Sequence, residues 1–120
     1  MPVVYKPDQR HKRAKPILVD DGDARSLPNL ARKYLTWCEV HHFSGNTLES
    51  RGRMLHYFAE WAKERGVTRA NEVSLPVIER YQRHLFHYRK PNGDPLSFRS
   101  QSQRLLAVRA FFKWAARQHH

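Results

Sequence analysis

The sequence predicts an all-α protein, a small bundle of four amphipathic helices. In four segments of the 120-residue chain, apolar residues recur at intervals of three and four. Alternating runs of β-branched residues bounded by turns, which predict strands, are missing. Three Trp, five Tyr, six Phe and 40% hydrophobic residues overall provide the apolar mass for one modest core. A single compact domain is therefore expected.

The first 25 residues are predicted to form a flexible arm. They contain three prolines, a basic run over 10–15 and the acidic residues Asp20, Asp21 and Asp23, with no sustained periodicity. A basic arm can contact a phosphate backbone, although a solvated extension is the simpler interpretation. The acidic cluster could hold a divalent cation weakly, or form only a solvated turn. The folded domain is expected over residues 26–120.

The first helix is predicted to begin after Ser26, which has the residue type of an N-cap and is followed by Leu27 and Pro28. It should continue to about His42. The apolar stripe on this helix has i, i+3, i+4 spacing and comprises Leu27, Leu30, Ala31, Tyr34, Leu35 and Cys38.

The second helix is predicted within residues 44–66. Asn46 and Glu49 have the spacing of a capping box at its start, and Gly66 is suited to its end. The stripe expected to be buried consists of Leu48, Leu55, Phe58, Ala59 and Ala62.

The third and fourth helices flank a break in the pattern at residues 89–97, which contain two prolines and a glycine. Ser74 is the predicted cap of the third helix, which should end near Tyr88. The fourth helix is predicted from Ser97 to His120. Its expected buried stripe is Leu105, Val108, Phe112 and Ala115.

The charge favours a polyanionic partner. The chain has 22 Lys and Arg against 11 Asp and Glu, a net charge of +11, and residues 26–120 alone carry +9. Such an excess is typical of proteins that bind nucleic acid or an anionic membrane. No acidic residue follows Asp94, although an ordinary solvent-facing helix mixes both signs. We therefore expect the fourth helix to bind nucleic acid.

Two groups of side chains are candidates for contacts with DNA. Amides and hydroxyls can hydrogen-bond phosphates or bases, and arginine can bind guanine with two hydrogen bonds. Any one of these residues alone would be read as a helix cap or as part of a solvated face. The candidates on the second helix are Asn46, Thr47, Ser50, Arg51 and Arg53, and those on the fourth are Arg99, Ser100, Gln103, Arg109 and Lys113.

Other classes of function find little support in the sequence. A single cysteine, Cys38, excludes an internal disulfide and a thiolate-rich metal site. No catalytic set of nucleophile, base and orienting acid is recognisable, so we expect no catalytic residue, metal, cofactor or small-molecule substrate. The aromatic residues could stack on bases, but their helical spacing favours core packing. Without a membrane-spanning run or signal peptide, a cytoplasmic protein is expected.

The order of several motifs resembles the N-terminal core-binding domain of tyrosine recombinases, the phage integrase and Xer-like family. The resemblance covers roughly residues 26–120. Its motifs are Asn46-Thr47-Leu48, Phe58 and Trp61, Gly66, Leu106-Ala107-Val108-Arg109, Phe111-Phe112 and Trp114.

The resemblance implies a SAM-like bundle that closes a clamp over double-stranded DNA, with its second and fourth helices crossing the major groove. It implies that the ten candidate residues contact DNA, although many relatives have an aromatic residue at the position of Arg51. The catalytic domain of such recombinases is expected to be absent from this chain, whose partners would be duplex DNA and other recombinase subunits. A protein-interaction or oligomerisation module is the alternative, and a complete small nuclease would require strand cleavage by this chain alone.

Overall fold

Four α-helices form a bundle in the computed structural model, which describes residue 18 and residues 20–118. The helices are α1 (Leu27–Val40), α2 (Gly45–Lys63), α3 (Leu75–His87) and α4 (Phe98–Arg117), and a short 3₁₀ turn at Ala70–Glu72 precedes α3. Within this described part the only β-type pairs are two isolated bridges. The predicted all-α class is therefore confirmed.

Three of the four helix starts agree with the sequence prediction, and the start of α2 differs from it. Ser26 caps α1 as predicted, because its side chain accepts a hydrogen bond from the Asn29 backbone N–H. Ser97, where the fourth helix was predicted to begin, caps α4 in the same way by accepting from the Ser100 backbone N–H. The predicted capping box at Asn46 is wrong, because Ser44 caps α2 by accepting from the Thr47 backbone N–H at 3.1 Å. Ser74 occupies the N-cap position of α3, but its side chain makes no capping hydrogen bond.

Two helices end in left-handed residues. Gly66 has φ of 79°, and the next residue, Val67, donates its N–H to the Ala62 carbonyl, so the predicted stop of α2 is confirmed. At the end of α1 His42 takes the same role with φ of 67°, although it is not glycine. This reversal stops α1 at Val40, two residues before the predicted end.

Helix α4 is the central element, since it packs on each of the other three helices. Its deeply buried residues are Ala107, Val108, Phe111 and Ala115, whereas the predicted Leu105 and Phe112 are only half-buried. The buried arc of α4 is wide because neighbours lie on several sides of it. The stripe that was predicted to be buried is therefore rotated around the axis of α4 relative to the residues that are most deeply buried.

Aromatic rings fill the core between the helices. Phe58 of α2 meets Tyr81 of α3 edge to face, with ring centroids 4.9 Å apart. Tyr34 of α1 packs on Phe111 of α4 at 5.7 Å. Cys38 is fully buried, in agreement with its predicted role as a small core residue. These contacts fix the relative positions of the four helices.

The acidic residues before α1 are hydrogen-bonded to the bundle. The buried side-chain amide of Asn29 donates to Asp20 Oδ1 at 3.0 Å, to Asp21 Oδ1 at 3.2 Å and to the Asp23 carbonyl at 2.8 Å. The Gly22 backbone N–H and, next, the Asn29 amide lower the pKa of Asp20. Residues 1–17 of the predicted arm lie outside the described residues, so the arm as a unit remains a prediction.

Candidate nucleic-acid interface

A groove of about 300 Å³ runs between α2 and α4, and we call it the α2–α4 groove. The lining residues come from the first three turns of α2 and from the second and third turns of α4. Its lining includes five of the ten candidate residues. The full lining is Asn46, Thr47, Ser50, Arg51 and Met54 of α2, with Gln103, Leu106 and Ala107 of α4.

Three further candidates, Arg99, Arg109 and Lys113, form a cationic stripe on the exposed surface of α4. At 100° per residue, they fall within about 80° of one another around the helix. Among the described residues, ion pairs engage Arg53, Arg65 and Arg69, whereas the stripe residues make none. Their charges therefore face solvent without neutralisation by neighbouring carboxylates.

Arg51 enters the groove from a fixed position. Its guanidinium donates a hydrogen bond to the Tyr34 hydroxyl of α1 and lies 4.9 Å from the centroid of the Phe43 ring. Burial raises the pKa of Tyr34 to about 12, so this hydroxyl stays protonated at neutral pH. A guanidinium has five N–H donors, and those not used by Tyr34 can bind an anion in the groove.

The remaining two candidates do not line the groove. Arg53 projects from the outer side of α2 and pairs with Glu49 at 3.3 Å. Ser100 belongs to the start of α4, where its backbone N–H bonds to Ser97 Oγ at 3.1 Å and its hydroxyl accepts from the same atom. The structure thus brings together Asn46, Thr47, Ser50, Arg51 and Gln103, and separates Arg53 and Ser100 from them.

The sequence reasoning missed the apolar residues of the groove, Met54, Leu106 and Ala107. Ala107 is buried and Met54 is half-buried, but Leu106 is 67% exposed. The signal that could have identified Leu106 is its spacing, three residues after Gln103 and seven after Arg99. That spacing places it on the same side of α4 as these polar residues.

The aromatic side chains belong to the core, as their spacing predicted. Trp61 and Phe111 are buried in the core, and Trp37, Phe112 and Trp114 are partly buried and pack against the core. Burial also raises the pKa of Tyr81 to about 12. Among the described residues, no three His, Cys, Asp or Glu side chains come together as a metal site requires. None of the helices within residues 20–118 has the length and apolar character needed to cross a membrane.

The described residues thus form a four-helix bundle that has a groove between α2 and α4 and, on α4, a cationic stripe that makes no ion pair. Sequence comparison assigns the family. The model of the phage integrase N-terminal SAM-like domain matches residues 31–119, and the chain belongs to that family.

A curated relative supports the same assignment. The chain is 40% identical over 104 residues to a protein from Ralstonia nicotianae named tyrosine recombinase XerC 2. The match covers 80% of this chain and 30% of that relative, so the chain spans less than a third of the recombinase it matches. No solved structure matches the chain. The chain is therefore similar to the N-terminal SAM-like part of a tyrosine recombinase.

Proposed function

We propose that this chain binds duplex DNA and clamps it for a site-specific tyrosine recombinase, with α2 and α4 facing the major groove. The observation that carries the proposal is the cationic stripe of α4, which lies unpaired beside the polar α2–α4 groove. The family membership supports it, because proteins named as recombinases act on DNA. Strand cleavage would be performed by protein outside the part that this chain matches.

The dimensions of α4 suit this role. The stripe extends from Arg99 to Lys113, which are 14 residues apart and therefore about 21 Å along the helix axis. The major groove of B-DNA is about 12 Å wide. An α-helix that crosses the major groove can therefore place its cations near the phosphates of both strands. The residues of the α2–α4 groove that lie between Arg99 and Lys113 would then face the base edges. Phosphate contacts would provide most of the affinity.

The test is the salt dependence of binding. Replacing Arg99, Arg109 and Lys113 together by Ala should weaken binding to duplex DNA and reduce the slope of log K against log salt by about 3. Fluorescence anisotropy with a labelled duplex at several salt concentrations gives both quantities. The substitutions are at exposed positions, and circular dichroism checks that the fold is retained.

A matched control distinguishes a local DNA interface on α4 from general electrostatic attraction between the cationic chain and DNA. Replacing Lys33, Arg80 and Arg83 by Ala removes the same charge from exposed positions of α1 and α3. We expect this variant to keep most of its affinity for duplex DNA and most of the slope of log K against log salt. Equal losses in the two triple variants, or an unchanged slope in the stripe variant, would contradict the proposed interface.

A protein-interaction module remains the second candidate because α3 and α4 also form a groove that includes two exposed phenylalanines. Phe86 and Phe98, which line it, are 54% and 76% exposed. Exposed apolar patches commonly mark protein contacts, here with a second copy of the chain. Sedimentation with and without duplex DNA distinguishes the candidates. Self-association that DNA does not change would favour the second one, whereas a monomer that shifts only with DNA would favour the first.

A further inference from the structure

Leu106 is an exposed apolar side chain at the centre of an otherwise polar and cationic surface. It is 67% exposed and lines the α2–α4 groove. At 100° per residue it falls within the arc of α4 that holds Arg99 and Lys113, and it lies about 60° from Gln103. The other apolar residues of the groove are at least half-buried, so Leu106 is the one that protrudes.

A duplex has one strongly apolar group in its major groove, the C5-methyl group of thymine. We propose that Leu106 contacts thymine methyl groups and makes this chain selective for A·T pairs along the path of α4. This inference rests on the proposed DNA-binding function and adds a specificity-determining residue to it. Phosphates on both sides would be held by the cationic stripe, which brings the apolar side chain against the base edges.

The position of Gln103 supports the same choice of base pair. Its side-chain amide can bind adenine N6 and N7 with two hydrogen bonds. Gln103 and Leu106 are one turn apart, about 4.5 Å along the axis of α4. An amide suited to adenine and an alkyl group suited to thymine therefore lie about one helical turn apart on the same side of α4.

The experiment removes only the methyl groups. The full chain is titrated with a duplex made entirely of A·T pairs in a non-repeating order, and with the same duplex in which uracil replaces every thymine. The salt concentration is equal in both titrations. Removing one buried methyl group should weaken binding of the unmodified chain about fourfold.

The variants assign that difference to Leu106. In Leu106→Ala the two duplexes should bind with nearly equal affinity. Leu75→Ala is the matched control, because Leu75 of α3 is 66% exposed and lies outside the groove. It should retain the fourfold preference for thymine. Both replaced side chains are exposed, so the fold should be kept, and thermal melting verifies it.

Two results would overturn the inference while leaving the proposed function intact. One is binding of both duplexes with equal affinity by the unmodified chain. The other is a preference for thymine that Leu106→Ala retains. A different result, no binding to either duplex at low salt, would refute the proposed DNA-binding function and this inference with it.

Discussion

Replacing Asn29 by Asp tests whether the acidic segment before α1 is part of the folded bundle. The Asn29 side chain is 9% exposed, and its amide nitrogen donates to three oxygens, of Asp20, Asp21 and Asp23. Aspartate has nearly the same shape but carries an oxygen in place of that NH₂ group. It would therefore lose the three hydrogen bonds and bring a third carboxylate against two others.

The magnitude follows from the number of bonds lost. The NH₂ group has two hydrogens for its three acceptors, so one hydrogen is shared between two oxygens. Each hydrogen bond contributes about 1 kcal/mol to stability, so the Asn29→Asp variant should lose about 2 kcal/mol. For a domain of this size, 1 kcal/mol corresponds to a shift of about 4–8 °C in Tm. Asn29→Asp should therefore melt about 8–16 °C below the unmodified chain at neutral pH.

Thermal unfolding followed by circular dichroism measures this difference. Asn71→Asp is the control, because it makes the same chemical change at an exposed position of the 3₁₀ turn. We expect the control to shift Tm by only a few degrees. If Asn29→Asp behaved like Asn71→Asp, the acidic segment would not be hydrogen-bonded to α1 in solution, and the hydrogen-bond reasoning would be refuted.

Three further predictions concern the backbone, the packing and the pH dependence. His42→Gly should stabilise the protein by about 0.5–1 kcal/mol in chemical denaturation, because glycine adopts the left-handed conformation of this residue without strain. A Cβ added at Gly52 would lie 3.3 Å from Leu35 Cδ1, so a larger side chain has no room there. Gly52→Leu should therefore destabilise the fold by about 2 kcal/mol, whereas Gly52→Ala should change the stability by no more than about 1 kcal/mol. Burial lowers the pKa of His84, so the unfolded state binds more protons and Tm should fall as the pH drops through about 6.5. His84→Gln should make that fall smaller, and an unchanged pH profile would contradict the assignment.

Most of the fold was predictable because periodicity and caps act locally. The spacing of apolar residues located all four helices, and Ser26, Ser74 and Gly66 correctly marked the starts of α1 and α3 and the end of α2. The start of α2 was not determined, since Ser44 and Asn46 are both good caps two residues apart. The exact buried arc of α4 could not be predicted either, because it depends on the directions of three neighbouring helices.

The candidate site was predictable only as a set of outward-facing residues. Helical geometry placed five candidates correctly enough that they meet across one groove. It could not show that Arg53 pairs with Glu49, or that Arg51 bonds to Tyr34, 17 residues earlier in the chain. It also passed over Leu106, because an apolar residue on a helix is ordinarily assigned to the core.

The attachment of Arg51 to Tyr34 and Phe43 has a consequence for the energetics of recognition. A free arginine side chain loses about 2 kcal/mol of rotamer entropy when it is immobilised against a partner. For Arg51 much of this entropy has already been lost during folding. The exposed side chain of Lys113 would lose its rotamer entropy only when it binds DNA. Arg51 is thus preorganised, and its contribution to complex formation should depend on the integrity of the turn between α1 and α2.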